Sequence, residues 1–367
     1  MHGYIFLKSD INPDFGKPNK NHWFFSRQKS TLKYQIRASN IGFSGSSDWC
    51  DAMEIMGRGF RQIIKESPCY FHIFSKYASY KLFNRKSPLY GSADIINVCN
   101  LHCTHCYWWL NRKENEEITV EQWKQVIEDK FKKQHVFIIT LVGGEPTMRP
   151  DVVELFIKEF PKRVCLVTNG TRPLKKYKDI YFYWVSIDGT QEIHNKIRGA
   201  GAYEDTRKNI VDYVEKNGDK AWKDIWITMT INSLNYKTIR NVTEEWIDYS
   251  NKIGFQFHTP FAKGDPLWMP FGPERTKVID EIISLKEEFG DYIINPKSQL
   301  ELMKKNWGGR GTTPVDCPTW AILSVDHMGR EKMPCCIGSA EKESMKPICE
   351  DCGLGCYSVL VGIGIKG

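Results

Sequence analysis

From residue 92 to residue 289 the chain alternates short apolar runs with amphipathic stretches, and this alternation decides the fold class. Ile95-Ile96-Asn97-Val98 reads as a short first strand. Thr119 followed by Gln122 is a capping box that opens a helix over about 120–133. Val136–Val142 is a continuous apolar strand of the buried parallel type. A helix over 151–160, strands over 164–167 and 182–187 and a helix over 203–217 follow. A strand over 225–231, a helix over 243–252, a strand over 255–258 and a helix over 274–289 complete the series. Six β/α units in succession make an α/β fold with a parallel sheet and right-handed crossovers. Whether that sheet closes is not encoded in the pattern.

Ligands of such sheets gather at the C-terminal ends of the strands, and the informative residues fall there. Cys99, Cys103 and Cys106 follow strand one with the spacing C-x3-C-x2-C. Three thiolates on one tight loop hold three corners of a cubane iron–sulfur cluster and leave the fourth iron open. Ferredoxin-type carriers use four Cys per cluster, so the missing ligand points to chemistry and not to electron carriage alone. The alternative is a zinc knuckle completed by His102 or His105, although zinc sites usually add a second, distant ligand pair. Gly143-Gly144-Glu145-Pro146 follows strand two, and the glycine pair lets backbone approach a ligand. Thr168-Asn169-Gly170 follows strand three, and Ser186-Ile187-Asp188-Gly189 follows strand four. His194-x3-Arg198-Gly199 comes later.

Together these runs resemble the radical S-adenosylmethionine (radical SAM) superfamily, whose defining motif has the spacing of Cys99, Cys103 and Cys106. The resemblance implies an open, partial (β/α)6 TIM-type barrel. It implies a [4Fe-4S] cluster on those three cysteines and S-adenosylmethionine (SAM) on its open iron. Reductive cleavage of SAM then gives a 5′-deoxyadenosyl radical that takes hydrogen from an unactivated C–H bond. By the same resemblance Gly143, Gly144, Glu145 and Pro146 meet the SAM amino group, and Ser186 and Asp188 lie near its ribose. Arg198 is a candidate for the SAM carboxylate, a role that its bidentate fork suits. Thr168 and Asn169 match a further strand-end motif, and His105 stands where the family places a ring near adenine. Trp108 and Trp109 are expected to pack. The implied electron donor is a reductant protein such as flavodoxin or ferredoxin.

Cysteine usage divides the rest of the chain. Nine of twelve Cys fall in two groups, the loop near residue 100 and the set Cys317, Cys335, Cys336, Cys349, Cys352 and Cys356. Cys50, Cys69 and Cys165 are isolated and read as small buried hydrophobes. Val325–Arg330 reads as a hairpin turn bracketed by Cys317 and Cys335. This tail resembles the SPASM/twitch appendage of radical SAM enzymes, which implies one auxiliary [4Fe-4S] cluster. The implied ligands are Cys317, Cys335, Cys349 and Cys352; Cys356 is a further candidate that replaces one of them, and Cys336 stays open. Six Cys are too few for two fully Cys-ligated cubanes, and a zinc ribbon is the alternative. The expected divisions are an aromatic and basic extension over 1–90, a core barrel over 91–290 and a Cys-rich region over 291–367. Residues 290–316, ending in Gly308-Gly309-Arg310-Gly311, connect the last two.

A net charge of +7 with no run of five Lys or Arg gives no nucleic-acid footprint. No apolar run reaches transmembrane length and no signal peptide opens the chain. With so many unpaired Cys, a cytoplasmic setting is expected. The helical pieces over 56–83 have mixed apolar and basic faces, which suit either packing across the barrel or a membrane surface. The expected substrate is a peptide or protein. The alternatives are a membrane lipid or glycolipid and, from another class, a non-catalytic zinc-binding interaction protein.

Overall fold

A computed structural model describes residues 68–110, 117–218, 220–307 and 317–367. Cys50, the stretch 56–67 and Gly308-Gly309-Arg310-Gly311 lie outside the described residues, as does the side chain of Cys69.

Seven strands build one all-parallel sheet: β1 Tyr90–Asp94, β2 Ile138–Val142, β3 Val164–Thr168, β4 Phe182–Ser186, β5 Ile225–Ile231, β6 Lys252–Phe257 and β7 Ile322–Val325. Their order is β6-β5-β4-β3-β2-β1-β7, so β6 and β7 are the edges of an open, partial TIM-type barrel. β5 shows the local cause. Ile225, Ile227, Met229 and Ile231 are fully buried and alternate with half-buried residues, as a strand with one face on the core requires.

Nine α-helices accompany the sheet among the described residues: α1 Pro68–Phe83, α2 Val120–Val126, α3 Pro150–Glu159, α4 Gln191–Arg198, α5 Ala202–Asn217, α6 Ile239–Trp246, α7 Pro273–Phe289, α8 Lys297–Met303 and α9 Gly355–Gly362. The capping box forms, with Gln122 N–H donating to Thr119 Oγ1 at 3.2 Å and Thr119 N–H donating to Gln122 Oε1 at 2.8 Å. The helix then widens into a π-helical turn over Ile127–Lys132. Cys165 is buried in β3, as its isolation in the sequence suggested.

Several elements differ from the sequence pattern. Strand one is Tyr90–Asp94 and not residues 95–98. The true strand is small and weakly apolar because it must be: a Cβ on Gly91 would stand 2.6 Å from the Phe131 ring. The apolar residues after it run along the end of β2 instead, with Ile95 N–H donating to Val142 O. Helix α6 ends at Trp246, several residues early, where the buried Ser250 hydroxyl donates to the Trp246 carbonyl. The short helices α4, α8 and α9 were not signalled. Each is only seven or eight residues long, and α9 is apolar on all sides with glycine at both ends.

The tail links the two sheet edges. β7 pairs with β1, while Ile348 N–H donates to Pro260 O and Phe257 N–H donates to Gly353 O beyond the end of β6. Helix α1 lies across this closure. His72 Nε2 meets His135 O, Tyr77 Oη donates to Ile363 O and Lys81 Nζ donates to Gly364 O.

Candidate active site

The Cys loop is clamped from both sides. Gly144 N–H donates to Ile96 O and Glu145 N–H to Val98 O, each at 2.9 Å. A Cβ on Gly144 would meet Val98 O at 2.0 Å, and one on Gly143 (φ +128°) would meet Ile96 O at 2.5 Å. The glycine pair therefore admits the backbone of the cluster loop itself, a closer guest than the ligand the sequence suggested. On the other side, Thr104 N–H donates to Ile197 O in the last turn of α4.

Glu145 is buried and acts as a fastener. Its Oε1 accepts from Thr147 N–H, Thr147 Oγ1 and Thr168 Oγ1, and its Oε2 accepts from Asn169 N–H at 2.8 Å. This ties the end of β2 to the end of β3. Asn169 then reaches the loop, with Nδ2 3.0 Å from Asn100 Oδ1 and 3.9 Å from Cys99 Sγ. Pro146 opens the following turn, and Ser186 ends β4, nearly buried.

Asp188 and Arg198 form a buried pair, Nε to Oδ2 at 2.7 Å. Asp188 Oδ1 accepts from Thr230 N–H, and His105 Nε2 stands 3.6 Å from Oδ2. Burial pushes the Asp188 carboxyl up, but Arg198, then His105 and His194, overcome it and hold it below the usual range. Burial likewise works against the Arg198 charge, and Asp188 more than restores it. His105 is held neutral, its pKa lowered to about 4 by burial above all, and its Nδ1 is buried without a partner.

The three loop thiols sit together beside Arg198. Burial raises all three, Cys106 to about 12, and Cys103 and Cys99 raise Cys106 further. Arg198 opposes the rise at Cys103 and Cys106. In the metal-free chain these are neutral thiols in a poorly solvated, cation-flanked pocket, and a metal must displace their protons.

A profile of the radical SAM superfamily matches residues 94–246. Over those residues the chain is similar to radical SAM enzymes. Mycofactocin maturase MftC of Mycobacterium tuberculosis (strain CDC 1551 / Oshkosh) is 24% identical over 216 residues, covering 55% of this chain and 53% of that one. Fe-coproporphyrin III synthase of Methanosarcina barkeri is 33% identical over 155 residues, covering 40% and 38%. The chain thus spans about half the length, or less, of these curated relatives. The crystal structure of Streptococcus suis SuiB bound to precursor peptide SuiA superposes with a TM-score of 0.55 at 14% identity, covering 88% of this chain and 74% of SuiB, and shows a common fold.

Radical SAM enzymes use a [4Fe-4S] cluster and SAM, and the donor set here fits the cluster. The loop offers three mutually interacting thiols and no fourth cysteine. Among the described residues no three His, Cys, Asp or Glu side chains gather as a single metal ion would need. The tail brings a second thiol set together. Burial raises Cys317 and Cys352 most, and each is raised further by Cys335 and Cys349. Cys336 and Cys356 make a separate contact, Sγ to Sγ 3.5 Å.

Several residues around this site carried no sequence signal. Asn235 Nδ2 donates to Asp188 O, and His258 Nε2 pairs with Asp265 Oδ2 at 2.8 Å. Lys332 Nζ meets Asp94 Oδ2 at 2.6 Å, both fully buried. Trp108 is buried with its Nε1 on Asn97 O, and Trp109 stacks on His102, so both tryptophans pack.

His194 yields a pH prediction. Its Nδ1 accepts from Asp188 N–H, and burial first, Arg198 second, lower its pKa to about 3. Unfolded histidine titrates near 6.5, so unfolding between those values takes up a proton. Stability from this group is present above pH 6.5 and is lost as pH falls. The urea midpoint of metal-free protein is expected to drop from pH 7 to pH 5, and to drop less in His194→Gln. Equal drops in both proteins would contradict this.

Proposed function

We propose that this chain is a radical SAM enzyme that modifies a peptide or protein, with an auxiliary [4Fe-4S] cluster in its C-terminal region. The observation that carries the proposal is the convergence of the three-thiol loop, the Asp188–Arg198 pair and a second thiol set around one barrel mouth. A cluster with SAM on its open iron supplies one-electron cleavage of SAM to a radical that abstracts hydrogen from a C–H bond.

The residues supply the rest. Cys99, Cys103 and Cys106 anchor the cluster. Arg198 offers the guanidinium edge not used by Asp188 to a carboxylate, while Asp188 and Ser186 offer acceptors to hydroxyls. His105, neutral and buried, brings an apolar ring face beside them. The cluster loop backbone is locked by Gly143 and Gly144, so the site is held rigid before any ligand arrives. Cys317, Cys335, Cys349 and Cys352 hold the auxiliary cluster, and a small protein such as flavodoxin or ferredoxin delivers the electron.

A cavity between the Cys loop and the tail suits a polar substrate group. Asp94, Asn97, Tyr107, Trp108, His327 and Ser339 are among its walls. Asp94 Oδ1 and His327 Nε2 are buried there without partners, and such atoms are costly unless something donates to them or accepts from them. A peptide amide or hydroxyl meets that need; a hydrocarbon chain does not. Against this, Phe71, Phe74, Leu82 and Phe83 of α1 are exposed, which favours a lipid substrate at a membrane surface as second reading. Among the described residues no helix is long and apolar enough to cross a membrane.

Fractionated extract separates the two. Peptide fractions are expected to raise 5′-deoxyadenosine release and to contain a species whose mass changes only with SAM and reductant. A response confined to the lipid fraction would overturn the peptide assignment.

A further inference from the structure

Arg275 in α7 is fully buried and has no carboxylate partner among the described residues. Its Nε donates to Met303 O at 3.0 Å and its Nη1 to Met269 O at 2.9 Å, while Nη2 is buried with no partner at all. The guanidinium lies between two rings, 4.0 Å from the centre of Phe257 and 4.5 Å from that of Phe271. Two carbonyls and two π faces soften the burial of a cation but do not neutralise it.

Cys352 lies just beyond Phe257. Phe257 N–H donates to Gly353 O at 2.9 Å, and a Cβ on Gly353 would stand 2.2 Å from Phe257 O. Gly353 follows Cys352 directly, and the Gly353 N–H is pinned by Thr259 Oγ1. Burial lowers the Arg275 pKa to about 10; Cys352 is the strongest group acting the other way, ahead of the half-exposed Asp351. Lys332, another cation close to the tail thiols, is already paired with Asp94.

We propose that Arg275 is the built-in counter-charge of the auxiliary cluster and raises its reduction potential. The inference rests on Cys317, Cys335, Cys349 and Cys352 holding a [4Fe-4S] cluster. Four thiolates make such a cluster anionic, and reduction adds a further negative charge. A fixed, desolvated cation beside one ligand stabilises the reduced form more than the oxidised one. The residue is a positioning group and not a catalytic one, since it touches neither SAM nor substrate.

The test is a potentiometric titration of anaerobic holoenzyme followed by electron paramagnetic resonance. The signal that changes on adding SAM belongs to the catalytic cluster, and the signal that does not belongs to the auxiliary one. Arg275→Met and Arg275→Gln remove the charge; Gln keeps an amide for the Met303 and Met269 carbonyls and serves if Met does not fold. Both are expected to cut the reduced-to-oxidised ratio of the SAM-insensitive signal at least tenfold at fixed potential, about 59 mV for one electron. Arg275→Lys is expected to shift it less than threefold, and the SAM-sensitive signal is expected to stay put in all three. Loss of the auxiliary iron in the neutral variants but not in the Lys variant also supports the proposal. An unchanged midpoint in the neutral variants, an equal shift in the Lys variant, or a joint shift of both signals overturns it. Wild type with no SAM-insensitive signal and half the iron would instead remove the auxiliary cluster itself.

Discussion

Protein in which Cys99, Cys103 and Cys106 are all replaced by Ala is expected to hold roughly four irons where wild type holds roughly eight. In the proposed reading each thiol group anchors one cubane, and removing the loop thiols removes one of the two. Of the two loop histidines, His105 faces the Asp188 carboxylate and His102 stacks on Trp109. The fold is expected to survive, because the loop is held through backbone bonds from Ile96, Val98 and Thr104 and not through its thiols. Circular dichroism and iron analysis of the same anaerobic sample check both halves. Iron near zero with zinc in its place would mean that the tail is a zinc ribbon; iron unchanged would mean that the loop holds no cluster.

Asp188→Ala is expected to be the most damaging single change at the barrel mouth. It strips Arg198 of its buried partner and orphans the Thr230 N–H. Breaking a buried pair by removing one member costs about 3–5 kcal/mol, mostly through the charge left behind. SAM affinity is expected to fall about ten- to a hundredfold, because Arg198 is no longer held in place. The pH dependence has a definite sign. Arg198 holds the native Asp188 carboxyl below its usual value, so the pair's contribution is complete above about pH 4 and is lost below it. Denaturant midpoints and SAM titration by calorimetry measure the two losses. Wild-type stability in the variant would show that the pair is not buried as described.

The sequence made the parallel α/β class legible because strands such as Ile225–Ile231 alternate buried apolar residues with half-buried ones between amphipathic helical stretches. It made the Cys loop legible because spacing is itself geometry. It misplaced strand one because sheet membership there depends on a tertiary clash, Phe131 against Gly91, and not on local apolarity. It cast Glu145 and Arg198 chiefly as SAM contacts. The fold shows that Glu145 also accepts from Thr147, Thr168 and Asn169, and that Arg198 also pairs with Asp188. Those partners sit on different strands and helices, and no one-dimensional pattern names them. Arg275, Asn235 and the Asp94–Lys332 pair were invisible for the same reason. Each is a common residue type in an ordinary element until the chain folds.

The three-thiol loop is expected to support reductive cleavage of SAM. Anaerobically reconstituted wild-type protein, given SAM and dithionite, is expected to release 5′-deoxyadenosine and methionine in equal amounts. Neither product is expected without reductant or from the triple Cys→Ala variant. Fully iron-loaded wild type that binds SAM and releases no 5′-deoxyadenosine under reduction would contradict the account.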